Sequence, residues 1–146
     1  MARAAAAPLY TREILALAVE LAKVPYDPAM PLSGSARSRS CGSLLELSAA
    51  LDGQGQLSGI GLRVSACAVG QASAAIFARH AIGRGLAEIA GQLAGIEAWL
   101  GDDGPLPTWP DLAMLEPARA FPARHGAILL PWKAGIAALS NDPHGS

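Results

Sequence analysis

The sequence predicts an α+β fold: a small antiparallel β-sheet packed against several helices, in a single domain. Two observations carry the sheet. Leu45, Leu47, Ala49 and Leu51 alternate with Glu46, Ser48 and Ala50, the period of a half-buried strand. Ile60, Leu62, Val64 and Ala66 then alternate with Gly61, Arg63 and Ser65, and Asp52-Gly53-Gln54-Gly55 between the two runs is a turn signal. Residues 41–51 and 57–66 are therefore expected to form a hairpin. A third observation carries the helices: Leu86, Ile89, Leu93, Ile96 and Leu100 recur at steps of three and four, one face of a helix. A chain of 146 residues can bury one core without cross-links, so 1–146 is expected to be one domain, with a core from about 9 to 140 and flexible termini.

The remaining elements follow in order. Thr11 suits a helix N-cap, Glu13 complements the dipole of the first turn, and Ile14, Leu15, Leu17, Ala18 and Leu21 give an apolar face to about Lys23. Val24-Pro25 ends that helix, and Pro28 and Pro31 keep the next stretch extended. The Ser- and Arg-rich residues 33–40 are expected to form a mobile loop leading into Cys41. Beyond the hairpin, residues 71–81 form an Ala-rich helix with Ile76 and Phe77, punctuated by Gly83-Arg84-Gly85. Residues 101–105 are a loop, and Thr108 with Pro110 can open a short helix through Leu115. The last helix carries Ile128, Leu129, Trp132, Ile136 and Leu139 on one face. Pro131 has no N–H, and a helix running from Arg124 would lose the bond to the Ala127 carbonyl at a cost of about 3 kcal/mol. The regular helix is therefore expected to start near Pro131, or to kink there, with residues 125–130 looser than a helix interior.

Composition removes several classes of function. Lys and Arg number 11 against 12 acids, a balance with no overall footprint for nucleic acid or an anionic membrane. No apolar run approaches the ~20 residues that span a bilayer, and residues 1–8 are too weakly apolar for a secretory signal. A soluble cytoplasmic protein is the expectation. With 51% hydrophobic but only 5% aromatic residues, the core should be built mainly from Leu, Ile, Val and Ala. Nothing resembles a catalytic triad, a phosphate loop or a paired-carboxylate site. Two cysteines in a reducing compartment favour metal or redox chemistry over a structural bridge.

Those cysteines stand in a distinctive frame. Cys41 lies at the entrance of the first hairpin strand and Cys67 just past the exit of the second. In an antiparallel hairpin these points share one end of the sheet, so the two thiols can meet. The local sequences are Ser40-Cys41-Gly42-Ser43 and Ser65-Ala66-Cys67-Ala68-Val69-Gly70, followed much later by Phe121-Pro122-Ala123-Arg124-His125-Gly126-Ala127 and Leu130-Pro131-Trp132-Lys133. In order and spacing, from Tyr10 to about Leu139, the chain resembles the iron–sulfur cluster assembly scaffolds, the NifU N-terminal, IscU and SufU relatives. That family brings together a Cys-Gly-Asp loop, a second Cys opening a helix, and a third Cys after a Phe-Pro-Ala-Arg-like segment. Here Ser43 holds the Asp position and Ala127 the third Cys position. The long interval from Cys67 to Ala127, with its loop over residues 101–110, resembles the SufU-like branch more than the shorter one.

The resemblance implies a non-enzymatic scaffold or carrier that binds iron and sulfur through Cys41 and Cys67. Its cargo would be a transient iron–sulfur cluster, or zinc, or no metal at all given Ser43 and Ala127. Its partners would be a cysteine desulfurase and acceptor apo-proteins. A cluster usually takes four protein ligands, so two thiolates leave positions for a second protomer in a homodimer, a partner, or an exogenous thiol. His125 is a further candidate metal ligand, although an exposed or capping role is the more usual one for such a residue. Two other readings stand beside the scaffold: an interaction protein that binds the desulfurase or a complete scaffold without building clusters, and a Cys41/Cys67 redox pair. Cys67 alone could also be an inert buried thiol. His80 reads as a partner of a helix C-terminal dipole, His144 as part of a fraying tail, Trp132 as core and Lys133 as solvated.

Overall fold

The computed structural model describes residues 11–39 and 42–141. Cys41, the expected flexible termini and His144 lie outside the described residues. Helix α1 (Arg12–Val19) runs into a 3-10 turn (Glu20–Lys23), followed by strands β1 (Leu32–Arg37), β2 (Leu44–Leu51) and β3 (Leu57–Ser65). Helices α2 (Ala68–His80) and α3 (Leu86–Gly101) come next. Two 3-10 segments (Leu112–Ala120 and Pro122–Arg124) then lead into α4 (His125–Ser140). The three strands form one antiparallel sheet in the order β1-β2-β3, and the helices make this an α+β fold. Thr11 caps α1 as expected, its Oγ1 accepting a hydrogen bond from Ile14 N at 3.1 Å.

The hairpin forms as its alternation requires. Leu45 pairs with Val64, Leu47 with Leu62 and Ala49 with Ile60, so these six side chains share one face. β1 aligns Ala36, Gly34 and Leu32 beside Leu45, Leu47 and Ala49 on the same face. This corrects the mobile loop expected over residues 33–40: Leu32–Arg37 is a strand at the sheet's edge. Its inward residues are Leu, Gly and Ala, too small to register as a hydrophobic period. The reason is steric. α4 lies directly on β1, and a Cβ at Gly34 would fall 2.6 Å from the Ala134 carbonyl oxygen and closer still to the Ala138 amide. At the strand's far end the Asn141 side-chain amide donates to the Ser33 carbonyl at 3.0 Å.

Helix α4 starts at His125, not near Pro131, and Pro131 lies inside it. Ile128, Leu129 and Leu130 are all buried. Burial of such side chains is worth about 1.5–3 kcal/mol each, so three of them outweigh the ~3 kcal/mol penalty of an interior proline. The turn that Pro131 disturbs also gains a hydrogen bond from outside the helix. The buried Ser73 hydroxyl of α2 donates to the Ile128 carbonyl at 2.6 Å.

Three of the few aromatic residues meet in the core. Phe77 stacks on Trp109 at 5.3 Å, and Trp132 meets both edge-on at 5.4 and 5.3 Å. Trp109 is anchored by its indole N–H, which donates to the Ile76 carbonyl at 3.1 Å. The short helix expected from Thr108 begins instead at Leu112, because Asp111 turns the chain with a left-handed backbone (φ 72°). Arg79 clamps that turn, bonding both Glu20 oxygens at 2.9 and 2.6 Å and Asp111 at 3.0 Å, while His80 Nε2 lies 2.8 Å from the same Asp111 oxygen. The Arg79 hydrogen bond holds the Glu20 carboxyl below its ordinary value. The His80 contact, then Arg79, do the same for Asp111.

Three outcomes are expected from these contacts. Gly34→Val should lower the urea midpoint of tryptophan fluorescence by the equivalent of about 2–4 kcal/mol, since neither backbone can give way, while Gly53→Ala, facing open space, should stay within about 0.5 kcal/mol. Ser73→Ala should cost about 1–3 kcal/mol, and since its acceptor is the Ile128 carbonyl and not the Ala127 carbonyl that Pro131 leaves without a donor, the cost should be about the same in a Pro131→Ala background; a distinctly smaller cost there would show that the two are coupled. Both carboxylates of the Arg79 cluster are depressed on folding, so their contribution is complete above the ordinary carboxylate range of about 4 and lost as pH falls below it. Arg79→Gln should therefore flatten the decline of stability between about pH 4 and pH 2.

Candidate functional site

The site is built where the sheet, α2 and α4 begin or end together. Leu44 pairs with Ser65, so the residues just before β2 and just after β3 lie at one end of the sheet, about 4.8 Å apart in the ladder direction. The β1–β2 connection is tied by two backbone bonds. Ser38 N donates to the Ser43 carbonyl and Gly42 N to the Ser38 carbonyl, both at 2.9 Å. Gly42 has φ 71° with open space around it, so its glycine serves the backbone turn and not a close contact. Ser43 is only 4% exposed. Cys41 belongs to this connection by sequence and lies outside the described residues.

Cys67 is the N-cap residue of α2, with an extended backbone (φ −65°, ψ 172°). Its side chain makes no capping hydrogen bond, and the residue is half-buried against the core. The thiol is thus neither sealed in the interior nor used to finish the helix. Gln71 braces the junction, its amide N–H donating to the Cys67 carbonyl at 2.9 Å and its side chain to the Ala66 carbonyl at 2.8 Å.

Ala127 lies in the first turn of α4 and is fully buried. It faces Gly70, one turn into α2 from Cys67, where an added Cβ would stand 3.2 Å from the Ala127 Cβ and 2.8 Å from the Ala66 Cβ. Gly70 is what brings position 127 to the opening turn of the Cys67 helix. Its role was not read from the sequence, although a glycine within an Ala-rich helix costs about 1 kcal/mol relative to alanine and so marks a tight contact.

His125 opens α4, half-buried, with Nε2 donating to the Arg119 carbonyl at 3.0 Å. That bond joins the preceding 3-10 segment to the helix. His80 belongs to the Arg79–Asp111 cluster at the other end of α2. Trp132 is buried and Lys133 exposed. Among the described residues, no three His, Cys, Asp or Glu side chains are grouped to hold a metal ion, and no helix is long and apolar enough to cross a membrane.

No family model matches the chain, and no curated protein matches it significantly in sequence. Solved structures do. A nitrogen-fixing NifU-like protein (N-terminal) from Brucella abortus superimposes with a TM-score of 0.82 at 27% identity, over 90% of this chain and 92% of that one. The SufU iron–sulfur cluster assembly scaffold protein for the SUF system from the thermophile Fervidobacterium islandicum AW-1 gives a TM-score of 0.76 at 20% identity, over 90% and 96%. The structural neighbours of this chain are thus NifU-like and SufU proteins of iron–sulfur cluster assembly, in agreement with the resemblance read from its cysteine frame.

Proposed function

We propose that this chain is an iron–sulfur cluster assembly scaffold or carrier that binds iron and sulfur through Cys41 and Cys67. The observation that carries the reading is the half-buried Cys67 at the head of α2, with position 127 held against the same helix turn by Gly70. On this reading the site has two thiols, Cys41 and Cys67, where the family frame has three and a carboxylate. A thiolate is the iron ligand of choice, whereas the Ser43 hydroxyl ligates weakly and the Ala127 methyl not at all. Cargo is therefore held by fewer protein ligands, with a cysteine desulfurase as the donor of sulfur and apo-proteins as recipients. His125 remains a candidate ligand through Nδ1, its Nε2 being engaged by Arg119.

A second reading draws on the two substitutions themselves. A chain with Ser43 and Ala127 sealed at the site, yet with an intact fold, suits an interaction protein that engages a desulfurase or a complete scaffold and builds no cluster.

Anaerobic reconstitution with iron and sulfide separates the two. Under the scaffold reading, Ser43→Asp with Ala127→Cys should raise cluster uptake several-fold over the parent, with visible charge-transfer absorption, and each single change should raise it less, because ligands act together. Helical backbone already runs through position 127, so Pro131 does not displace it. A folded double variant that takes up no more than the parent would favour the interaction protein.

A further inference from the structure

The two edges of the sheet are finished differently. On β3 the chain fills its own edge at two points. Leu62 N donates to the Val24 carbonyl at 2.8 Å and its carbonyl accepts from Tyr26 N at 3.1 Å. Leu57 is tied in the same way to Arg84 and Gly83, both bonds at 2.8 Å. On β1 the register settles which residues face outward. Residues of an antiparallel pair alternate between those whose N–H and C=O meet the partner strand and those whose groups point away. Ser38 N donates to the Ser43 carbonyl in the register that pairs Arg37 with Leu44. Ala36 and Gly34 therefore turn their backbone groups to β2, and Ser33, Ser35 and Arg37 turn theirs to the open side. Asn141 takes the Ser33 carbonyl at 3.0 Å. Among the described residues nothing pairs with the outward groups of Ser35 and Arg37.

An open strand edge is a template for another extended chain, and proteins guard such edges with prolines, bulges, charges or covering segments. β1 has no proline, and its register with β2 is unbroken. Its one charged side chain is Arg37, exposed with Ser33 and Ser35 on the face opposite α4. Arg37 forms no ion pair with a described residue. Glu46, opposite Ser35 on β2, is held by Arg63 at 2.8 Å, and residues 28–45 contain no Asp or Glu. The edge thus carries a cation without a counter-charge. α4 argues against a second copy as its occupant. The helix lies directly on Gly34, so two-fold pairing of β1 with its own copy, at the ~4.8 Å strand spacing, would bring the two α4 helices inside the separation of about 8–10 Å that packed helices need. A single extended segment with no helix layered on it fits.

We propose that β1 accepts an extended segment of a partner protein as an added antiparallel strand, bonded to Ser35 and Arg37 and carrying a carboxylate opposite Arg37. Backbone bonds supply the attachment, and the cross-strand ion pair supplies selectivity. With the Ser33 carbonyl engaged by Asn141, the free length is the half of β1 that leads into the β1–β2 connection. Arg37 pairs with Leu44 and Leu44 with Ser65, so the added strand borders the end of the sheet that carries the β3–α2 junction. The proposal does not rest on the scaffold reading, since no cysteine, iron or sulfide takes part.

Titration of the ¹⁵N-labelled full chain with two synthetic octapeptides tests this, with the Ser35 and Arg37 amide signals followed by NMR. The peptides alternate Thr and Val and differ only in one central Thr, replaced by Glu or by Lys. Both amides should shift and exchange more slowly with solvent. The Glu peptide should half-saturate them at about fivefold lower concentration than the Lys peptide, the scale of an exposed ion pair exchanged for like-charge repulsion. Arg37→Glu should invert that preference. Ser35→Pro removes an outward donor and leaves the β1–β2 bonds in place, so it should raise the half-saturating concentration at least about tenfold. Arg37→Glu carries the test alone if the proline variant does not fold. No shift at either amide up to millimolar peptide, or a response that ignores both substitutions, overturns the proposal. Shifts that grow with protein concentration in the absence of peptide place a second copy on the edge and overturn the choice of partner. Amides already slow to exchange in the dilute free chain place one of its own segments there, with the same consequence.

Discussion

The seam between α2 and α4 is the contact on which the rest of this structure depends. Its three levels follow the helical repeat. Gly70 meets Ala127 at the site, Ser73 hydrogen-bonds Ile128 beneath it, and Phe77 packs on Trp132 and over Gly135, whose added Cβ would come within 3.2 Å of the Phe77 ring. Small residues at the outer level let the helix starts approach, and aromatic bulk at the inner level fixes the core. α4 in turn covers β1 and β2, so the sheet end, the head of α2 and the head of α4 are set by one interface. The buried Ser73 hydroxyl ties the two helices at the Ile128 carbonyl, one residue past the Ala127 carbonyl whose helical donor Pro131 removes.

Much of this was legible in the residues. The hairpin, the N-cap at Thr11 and the α3 stripe follow from alternation, capping chemistry and period, because those elements bury one face and solvate the other. The signal failed where packing is close enough to exclude side chains. β1 presents Leu32, Gly34 and Ala36 inward, a face whose central position must be bare to admit the α4 backbone, so it reads as a loop. The start of α4 was misplaced for the opposite reason: a local penalty at Pro131 was weighed without the burial of the three residues before it. The cysteine frame drew attention to Cys67 and Ala127, but Gly70, which packs against Ala127 one turn into the Cys67 helix, carries no side chain to notice.

The structural constraints and the ligand chemistry are separable in this molecule. Gly42 is held by its turn, Gly70 by its neighbours and Ser73 by a carbonyl, and none of these needs a metal. A chain can therefore keep the architecture it shares with NifU-like and SufU proteins independently of which ligands it carries.

The nature of those two substitutions follows from burial. Position 43 is almost sealed and position 127 wholly so. A carboxylate at position 43 is stable there only while a cation neutralises it, since an ionised group removed from water without a partner costs several kcal/mol. A serine hydroxyl at the same place carries no charge and avoids that cost. At position 127 the Ala methyl group packs against Gly70 and Ala66 as ordinary core, a place that a neutral thiol would also fill without a charge penalty.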